Sequence, residues 1–346
     1  MKIKIGKEQR QKLLKKKNVI GVGVGYRKKK GRSTGEKAVI VFVTKKVSPQ
    51  QLDEKEKAPR FIGGRRVDVV EIGEVRLLET CVPLAPFSEG DNRLARCRPA
   101  PGGVSIGHYK ITAGTLGCTV KDLQTGERFI LSNNHVLANT SIGKDGRAAP
   151  GDAVLQPGPY DGGKRGSDII ARLERFIPLR ATFQSPDCTT ARFWEELANR
   201  ILAVLHPHYR FSLQRASGEG NLVDAALARP LSESDLSSKL LGLGQVEGSG
   251  EAYPGDEVAF SGRTSGVVRG AVIARDVGLY ITMEPDRELF FTDQLVTSAL
   301  SRPGDSGSLL LDEQNRAVGL LFAGSETVSV CNRFENVSRL LGVDPV

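Results

Sequence analysis

Apolar residues along the chain gather in short runs rich in Val, Ile, Leu and Phe, and polar stretches containing glycine or proline separate one run from the next. Runs this short, bounded by turn formers, predict β-strands. They fall at 115–121, 127–131, 153–156, 168–175 and 222–228, and again at 257–261, 267–274, 278–283, 289–296, 308–311 and 317–322. Many short strands joined by tight turns fit sandwiches or barrels and oppose a parallel α/β sheet. Two segments break the texture. Residues 186–205 carry Trp194, Leu197, Ala198, Ile201 and Leu205 at helical spacing, with Ser185 to cap them, Pro186 in the first turn and Pro207 as a stop. That helix is expected to bury its apolar stripe in core packing or a subunit contact. Residues 333–341 place Phe334, Val337, Leu340 and Leu341 on a second, C-terminal helix.

The first 78 residues read differently. A basic helix over 7–17 precedes a hairpin of strands 19–26 and 38–44, a helix over 48–57 capped by Ser48, and a strand over 67–75. This predicts an α+β N-terminal domain at 1–78. Gly21, Gly23 and Gly25 raise the question of a dinucleotide loop, but the position where that fingerprint needs its third glycine holds Tyr26 and a basic turn follows, so no cofactor is expected. Residues 79–103, rich in Pro and Gly, read as a linker.

The 346 residues, 39% hydrophobic and 26% charged, describe a globular chain with a sizeable core and exclude disorder and low-complexity scaffolds. The net charge of +9 is a local feature. Twelve of the 49 Lys and Arg and one of the 40 acids lie in residues 1–30, leaving 37 against 39 elsewhere. Nucleic acid is therefore not the expected partner, although a basic arm binding through charge is a testable reading. No apolar run spans a membrane and none follows the Lys-rich start as in a signal peptide, so the chain is expected to begin near Met1 and to keep clear of membranes. Five scattered cysteines, Cys81, Cys97, Cys118, Cys188 and Cys331, form no C-x-x-C pair, and reduced thiols in the cytoplasm are expected.

The chemistry concentrates in three segments. Arg302-Pro303-Gly304-Asp305-Ser306-Gly307-Ser308 sets a serine among glycines just before an apolar strand, which lets a substrate carbonyl approach the backbone. The amides of Gly304 and Ser306 are then candidates to hold a developing oxyanion. Ser132-Asn133-Asn134-His135 puts a histidine at a strand end, and imidazole is a base suited to a serine hydroxyl near neutral pH. Asn221-Leu222-Val223-Asp224-Ala225-Ala226 embeds an acid among apolar residues, where it needs a partner such as the imidazole Nδ1–H. His206-Pro207-His208 lacks a carboxylate partner and reads as solvated loop, so no metal is expected.

In the order His135, Asp224, Ser306, these segments resemble the trypsin/chymotrypsin-like serine proteases over residues 104–346; an α/β-hydrolase would run serine, acid, histidine. The stretches 101–107 and 155–163 further resemble the group that includes the plant NARROW LEAF protein and its bacterial relatives. The resemblance implies a mainly β fold: a double six-stranded antiparallel β-barrel, the first barrel at 104–235 with a helical insertion at about 178–218 that projects from it, the second at 236–346 with the C-terminal helix. It implies a serine endopeptidase acting through an acyl-enzyme on a protein or peptide substrate, without metal or cofactor. A homo-oligomer is compatible with it. The strand ending Phe322-Ala323-Gly324 matches the family's substrate-pairing strand, and Leu300, six before the serine, takes the place of the residue at the base of the specificity pocket. A leucine there opposes a basic preference. Asp168 is a rival to Asp224 for the acid, with Asp224 favoured by the apolar run after it. In zymogen-activated relatives the residue matching Asp305 accepts a freed N-terminus; no cleavage sequence around Arg98 supports that activation here. A silent protease-fold scaffold that binds extended peptides is the alternative reading.

Overall fold

The computed structural model describes residues 5–29, 32–78, 92–184, 188–216, 220–284 and 287–346. It is mainly β, with two barrels and a small α+β region at the N-terminus.

In the first barrel the chain from Gly114–Thr115 into Cys118–Asp122 pairs with Ser105–His108 on one side and Arg128–Ser132 on the other. Ala226–Pro230, Ile169–Phe176 and Ala153–Leu155 complete the circuit. Its interior is filled by Ile106, Leu116, Ile130, Val136, Leu137, Val154, Ile170 and Leu173, each no more than 1% exposed. The second barrel closes through six antiparallel strands: Glu257–Gly262, Leu309–Asp312, Ala317–Gly324, Ser329–Arg333, Arg287–Thr297 and Gly266–Glu284, the last pairing back onto the first. Val258, Phe260, Val272, Leu295, Leu310 and Leu321 pack inside it.

The runs 267–274 and 278–283, read as two strands, form one strand whose register shifts near Ala274 and Val277. That bent strand leaves the barrel and accepts Val19–Lys29 along its free edge. The N-terminal hairpin of Val19–Lys29 and Arg32–Val43 thereby continues the second barrel's sheet, with Arg65–Glu71 added in parallel. The glycines that raised the nucleotide question serve this contact. A Cβ at Gly23 would lie 2.6 Å from Val277 Cγ2, and one at Gly25 2.4 Å from the Ile273 carbonyl oxygen. The helix Lys7–Leu14 docks beside them through buried Leu13 and an Arg10–Asp276 ion pair at 2.9 Å, so it is not a free basic arm.

Two helix expectations need correction. Residues 48–57 hold only the single 3-10 turn Pro49–Gln51, and Ser48 makes no side-chain cap. Leu52 is the one large apolar side chain there, too little to bury against the sheet and stabilise a helix. The insertion helix exists, as Thr189–Leu205, but none of its residues is buried, Trp194 being 58% exposed and Ile201 52%, which overturns the core packing expected of its stripe and leaves the subunit contact as the standing expectation. The paired strands Phe183–Gln184 and Arg215–Ala216 form its stem and hold the stripe away from the barrel. Cys188 caps it by accepting from the Ala191 amide; Ser185 and Pro186 lie outside the described residues.

Most of the stretch 79–103, and Cys81 with it, lies outside the described residues. Its last dozen residues pack closely. Arg93 is buried with its guanidinium 2.7 Å from Ser261 Oγ, and Ala100–Gly102 pairs in parallel with Leu236–Leu240.

Phe260→Ala is expected to lower folding stability by about 3–5 kcal/mol, whereas Trp194→Ala should stay within about 0.5 kcal/mol, as measured by denaturant unfolding. A large loss for Trp194→Ala would show that its face is covered in solution.

Candidate active site

Register brings His135 and Asp224 together. Leu131 pairs with Leu227 and Ser132 with Ala226, so the residues just beyond this antiparallel pair face each other. A one-turn helix, Asn134–Leu137, then lifts His135 off the strand end. Its Nδ1 donates to Asp224 Oδ2 at 2.6 Å, and its main-chain amide reaches Asp224 Oδ1 at 3.2 Å. Asp224 is wholly buried and His135 nearly so. A carboxylate can only accept, so the bond fixes the proton on Nδ1 and leaves Nε2 as the basic nitrogen. The main chain of Asp224 is held in turn. Its carbonyl accepts from Asn133 Nδ2 at 2.8 Å and Asn332 Nδ2 at 3.1 Å, and its amide donates to Asn332 Oδ1 at 3.0 Å. Asn332 lies on a strand of the second barrel and also bonds the Leu320 carbonyl, so it ties the acid to both barrels.

The serine loop is built around a buried carboxylate. Asp305 accepts main-chain N–H bonds from Thr264 at 2.8 Å, Ser265 at 2.9 Å and Arg302 at 2.8 Å. Burial pushes the Asp305 carboxyl above its ordinary range, against the pull of these donors.

Thr115 of the first barrel grips the same loop. Its amide donates to the Ser306 carbonyl at 2.7 Å and its hydroxyl to the Gly304 carbonyl at 2.8 Å, while that hydroxyl accepts from the Arg263 amide at 2.9 Å. Ser132, three residues before His135, donates to the Thr115 carbonyl at 2.8 Å. One glycine separates the two halves of the site: a Cβ on Gly114 would meet Val136 Cγ2 at 2.5 Å and the Ser306 carbonyl oxygen at 3.1 Å. A buried ion pair, Arg263 with Asp161, braces the junction from behind, its Nε to Oδ2 bond being 2.6 Å.

Two donors converge on one carbonyl oxygen. The Gly304 amide lies 3.1 Å from the Leu78 oxygen and the Ser306 hydroxyl 3.4 Å from it; that hydroxyl is also 3.3 Å from the Phe322 oxygen. Phe322, Ala323 and Gly324 form the end of Ala317–Gly324, and the last two pair with Leu77 and Arg76. Leu300 lines the adjoining cavity, but at 46% exposed it stands at the mouth, and buried Ala299 is the residue that joins the apolar cluster beneath. Asp168 is engaged elsewhere, by the Lys164 amide, the Ser167 hydroxyl and Arg96. His206 caps the outer end of the insertion helix and, with His208, is exposed. Among the described residues no group of three His, Cys, Asp or Glu is arranged to hold a metal ion.

Thr115, Asn332 and the Arg263–Asp161 pair were not legible as site residues, because each acts through a contact remote in sequence. The steric demand of this loop gives a direct test. Gly307 has φ +93° and a Cβ there would meet Ser132 Oγ at 2.0 Å and the Thr115 oxygen at 2.3 Å. Gly307→Ala is therefore expected to cost about 3 kcal/mol or more of stability by chemical denaturation; a change below about 1 kcal/mol would contradict this packing.

Residues 3–71 match the NARROW LEAF 1 N-terminal domain. Over 329 residues, 88% of this chain, the sequence is 26% identical to Protein NARROW LEAF 1 of Oryza sativa subsp. japonica. The chain spans about half, 51%, of that relative's length. Similar solved structures include Thermobifida fusca Protease A, at 15% identity and TM-score 0.44, covering 71% of this chain and 97% of that one. A glutamic acid specific serine protease aligns at 16% identity and TM-score 0.44, covering 71% and 100%. Residues 3–71 thus match the NARROW LEAF 1 N-terminal domain ahead of two antiparallel β-barrels, and the chain is similar to NARROW LEAF 1 along most of its length.

Proposed function

We propose that the chain is a serine endopeptidase in which Ser306 is the nucleophile, His135 the general base and acid, and Asp224 the group that orients the imidazole. The observation that carries this reading is the convergence of the Gly304 amide and the Ser306 hydroxyl on a single carbonyl oxygen. A peptide carbonyl bound there has a hydroxyl beside it and a hydrogen-bond donor on its oxygen.

As Ser306 Oγ attacks the carbonyl carbon, its proton passes to His135 Nε2 and the Asp224 carboxylate stabilises the resulting imidazolium. Negative charge gathers on the carbonyl oxygen, and the Gly304 amide, already aimed at it, strengthens its bond without reorganising. The Ser306 amide is the second donor expected at that oxygen. His135 then returns the proton to the leaving amine, and water, activated by the same imidazole, hydrolyses the acyl-enzyme. Phe322, Ala323 and Gly324 would hold the substrate as an added strand, with the cavity near Leu300 and Ala299 receiving its side chain. The thiols of Cys97, Cys118, Cys188 and Cys331, none in a disulfide, support a reducing compartment, the cytoplasm. No helix among the described residues is long and apolar enough to cross a membrane.

The strand already added at Ala317–Gly324 also favours a second reading, a scaffold that holds extended peptides without cleaving them. Ser306→Ala separates the two. It is expected to lower kcat/KM on a peptide library by about 10⁴- to 10⁶-fold with an unchanged unfolding midpoint. Hydrolysis that survives the substitution would sink the peptidase assignment, and a natural chain that binds peptides without turnover would favour the scaffold.

A further inference from the structure

The oxygen between Gly304 and Ser306 belongs to the chain itself. Residues 76–78 approach the site along the edge of the second barrel with the polarity of a bound peptide. Arg76 lies opposite Gly324 and Leu77 opposite Ala323 in antiparallel register, and the Leu78 amide donates to the Phe322 carbonyl at 3.3 Å. The chain then leaves the edge, and the Leu78 carbonyl turns to the Gly304 amide and Ser306 hydroxyl. A segment that merely covered the cleft could cross it in either direction. This direction places the carbonyl of the last paired residue at the nucleophile.

The side chain agrees with the main chain. Leu78 is 6% exposed and belongs to the buried apolar cluster of the second barrel that includes Leu295 and Ala299, and its Cδ2 lies within van der Waals distance, 3.4 Å, of where a Cβ on Gly324 would stand. A charged side chain placed in that apolar cluster would be desolvated without a partner.

We propose that the chain is its own substrate: Ser306 cleaves the peptide bond between Leu78 and Glu79, and the pocket filled by Leu78 selects a medium-sized aliphatic residue on the acyl side of any bond the site cuts. This rests on the peptidase reading given above. Ser306 Oγ forms an ester with the Leu78 carbonyl carbon as the C–N bond to Glu79 breaks, and the serine proton goes through His135 to the Glu79 nitrogen. Water then adds to the ester, restoring the serine hydroxyl and leaving a carboxylate on Leu78. Residues 1–78 stay bound after the cut, because the pairing of Val19–Lys29 with Gly266–Glu284 does not depend on that bond.

The test follows the intact mass of the natural chain, Ser306→Ala and Leu78→Asp after purification. The natural chain is expected to resolve into pieces 1–78 and 79–346 that co-elute under native conditions, at a rate unchanged by hundredfold dilution. Ser306→Ala should keep its full mass even when mixed with active chain. Leu78→Asp should stay uncut at this bond and, with its site vacated, hydrolyse a leucine-containing peptide at least tenfold faster than the same peptide with aspartate in place of leucine. A natural chain that keeps its full mass while hydrolysing added peptides overturns the self-cleavage and leaves the peptidase reading standing. If the natural chain keeps its full mass and neither it nor Leu78→Asp hydrolyses any added peptide, both fall. Cleavage at another bond, or in Ser306→Ala, also overturns the proposal; should Leu78→Asp not fold, the natural chain and Ser306→Ala decide it alone.

Discussion

Thr115 holds two barrels in one register. It belongs to the first, yet its amide and hydroxyl both bond the loop of the second that carries Ser306, and its carbonyl is held by Ser132 on the strand that leads to His135. A hydroxyl and an imidazole on separate barrels can cooperate only if their separation is fixed to a fraction of an ångström, since proton transfer needs hydrogen-bond reach. Each bond contributes only about 1 kcal/mol net, so strength is not their role. They set distance and direction between the serine loop and the strand that precedes His135, and the absence of a side chain at Gly114 and Gly307 lets these two segments pack closely. The buried Arg263–Asp161 pair adds a second tie across the same junction, of more value for alignment than for stability.

The N-terminal region is coupled to this junction by the sheet. Val19–Lys29 extends the second barrel through the bent strand Gly266–Glu284, and the glycines at 21, 23 and 25 permit the close approach. From the far side of that extension the chain returns through Val75, whose carbonyl accepts from the Thr282 amide at 2.9 Å, to deliver residues 76–78 to the edge of Ala317–Gly324. The N-terminal unit is thereby both an annex of the second barrel and the anchor of the segment in the cleft.

Strand positions were largely legible in the sequence, since short apolar runs between glycines leave little choice but strands. The candidate triad could be assembled because each member sits in a local pattern: Ser306 among glycines, His135 at a strand end, Asp224 before an apolar run. Helices were harder. Residues 48–57 had a plausible cap but almost nothing apolar to bury, and the stripe on Thr189–Leu205 gave no sign of the stem that lifts it into solvent. The least legible feature was Leu78. Nothing in Arg76-Leu77-Leu78 marks a segment that pairs with residues some 250 positions later; only tertiary structure brings the Leu78 carbonyl to Gly304. Leu300 shows the same limit, because counting back from Ser306 gives a place in the chain and not the direction of a side chain.

Covalent labelling addresses the chemistry at its source. Treatment of the natural chain and of Leu78→Asp with a small fluorophosphonate, followed by peptide mapping, is expected to give one adduct, on Ser306, lost when His135 is replaced by alanine. An adduct on another serine, an equal yield without the imidazole, or no adduct in either chain would contradict the assignment of Ser306 as a nucleophile activated by His135.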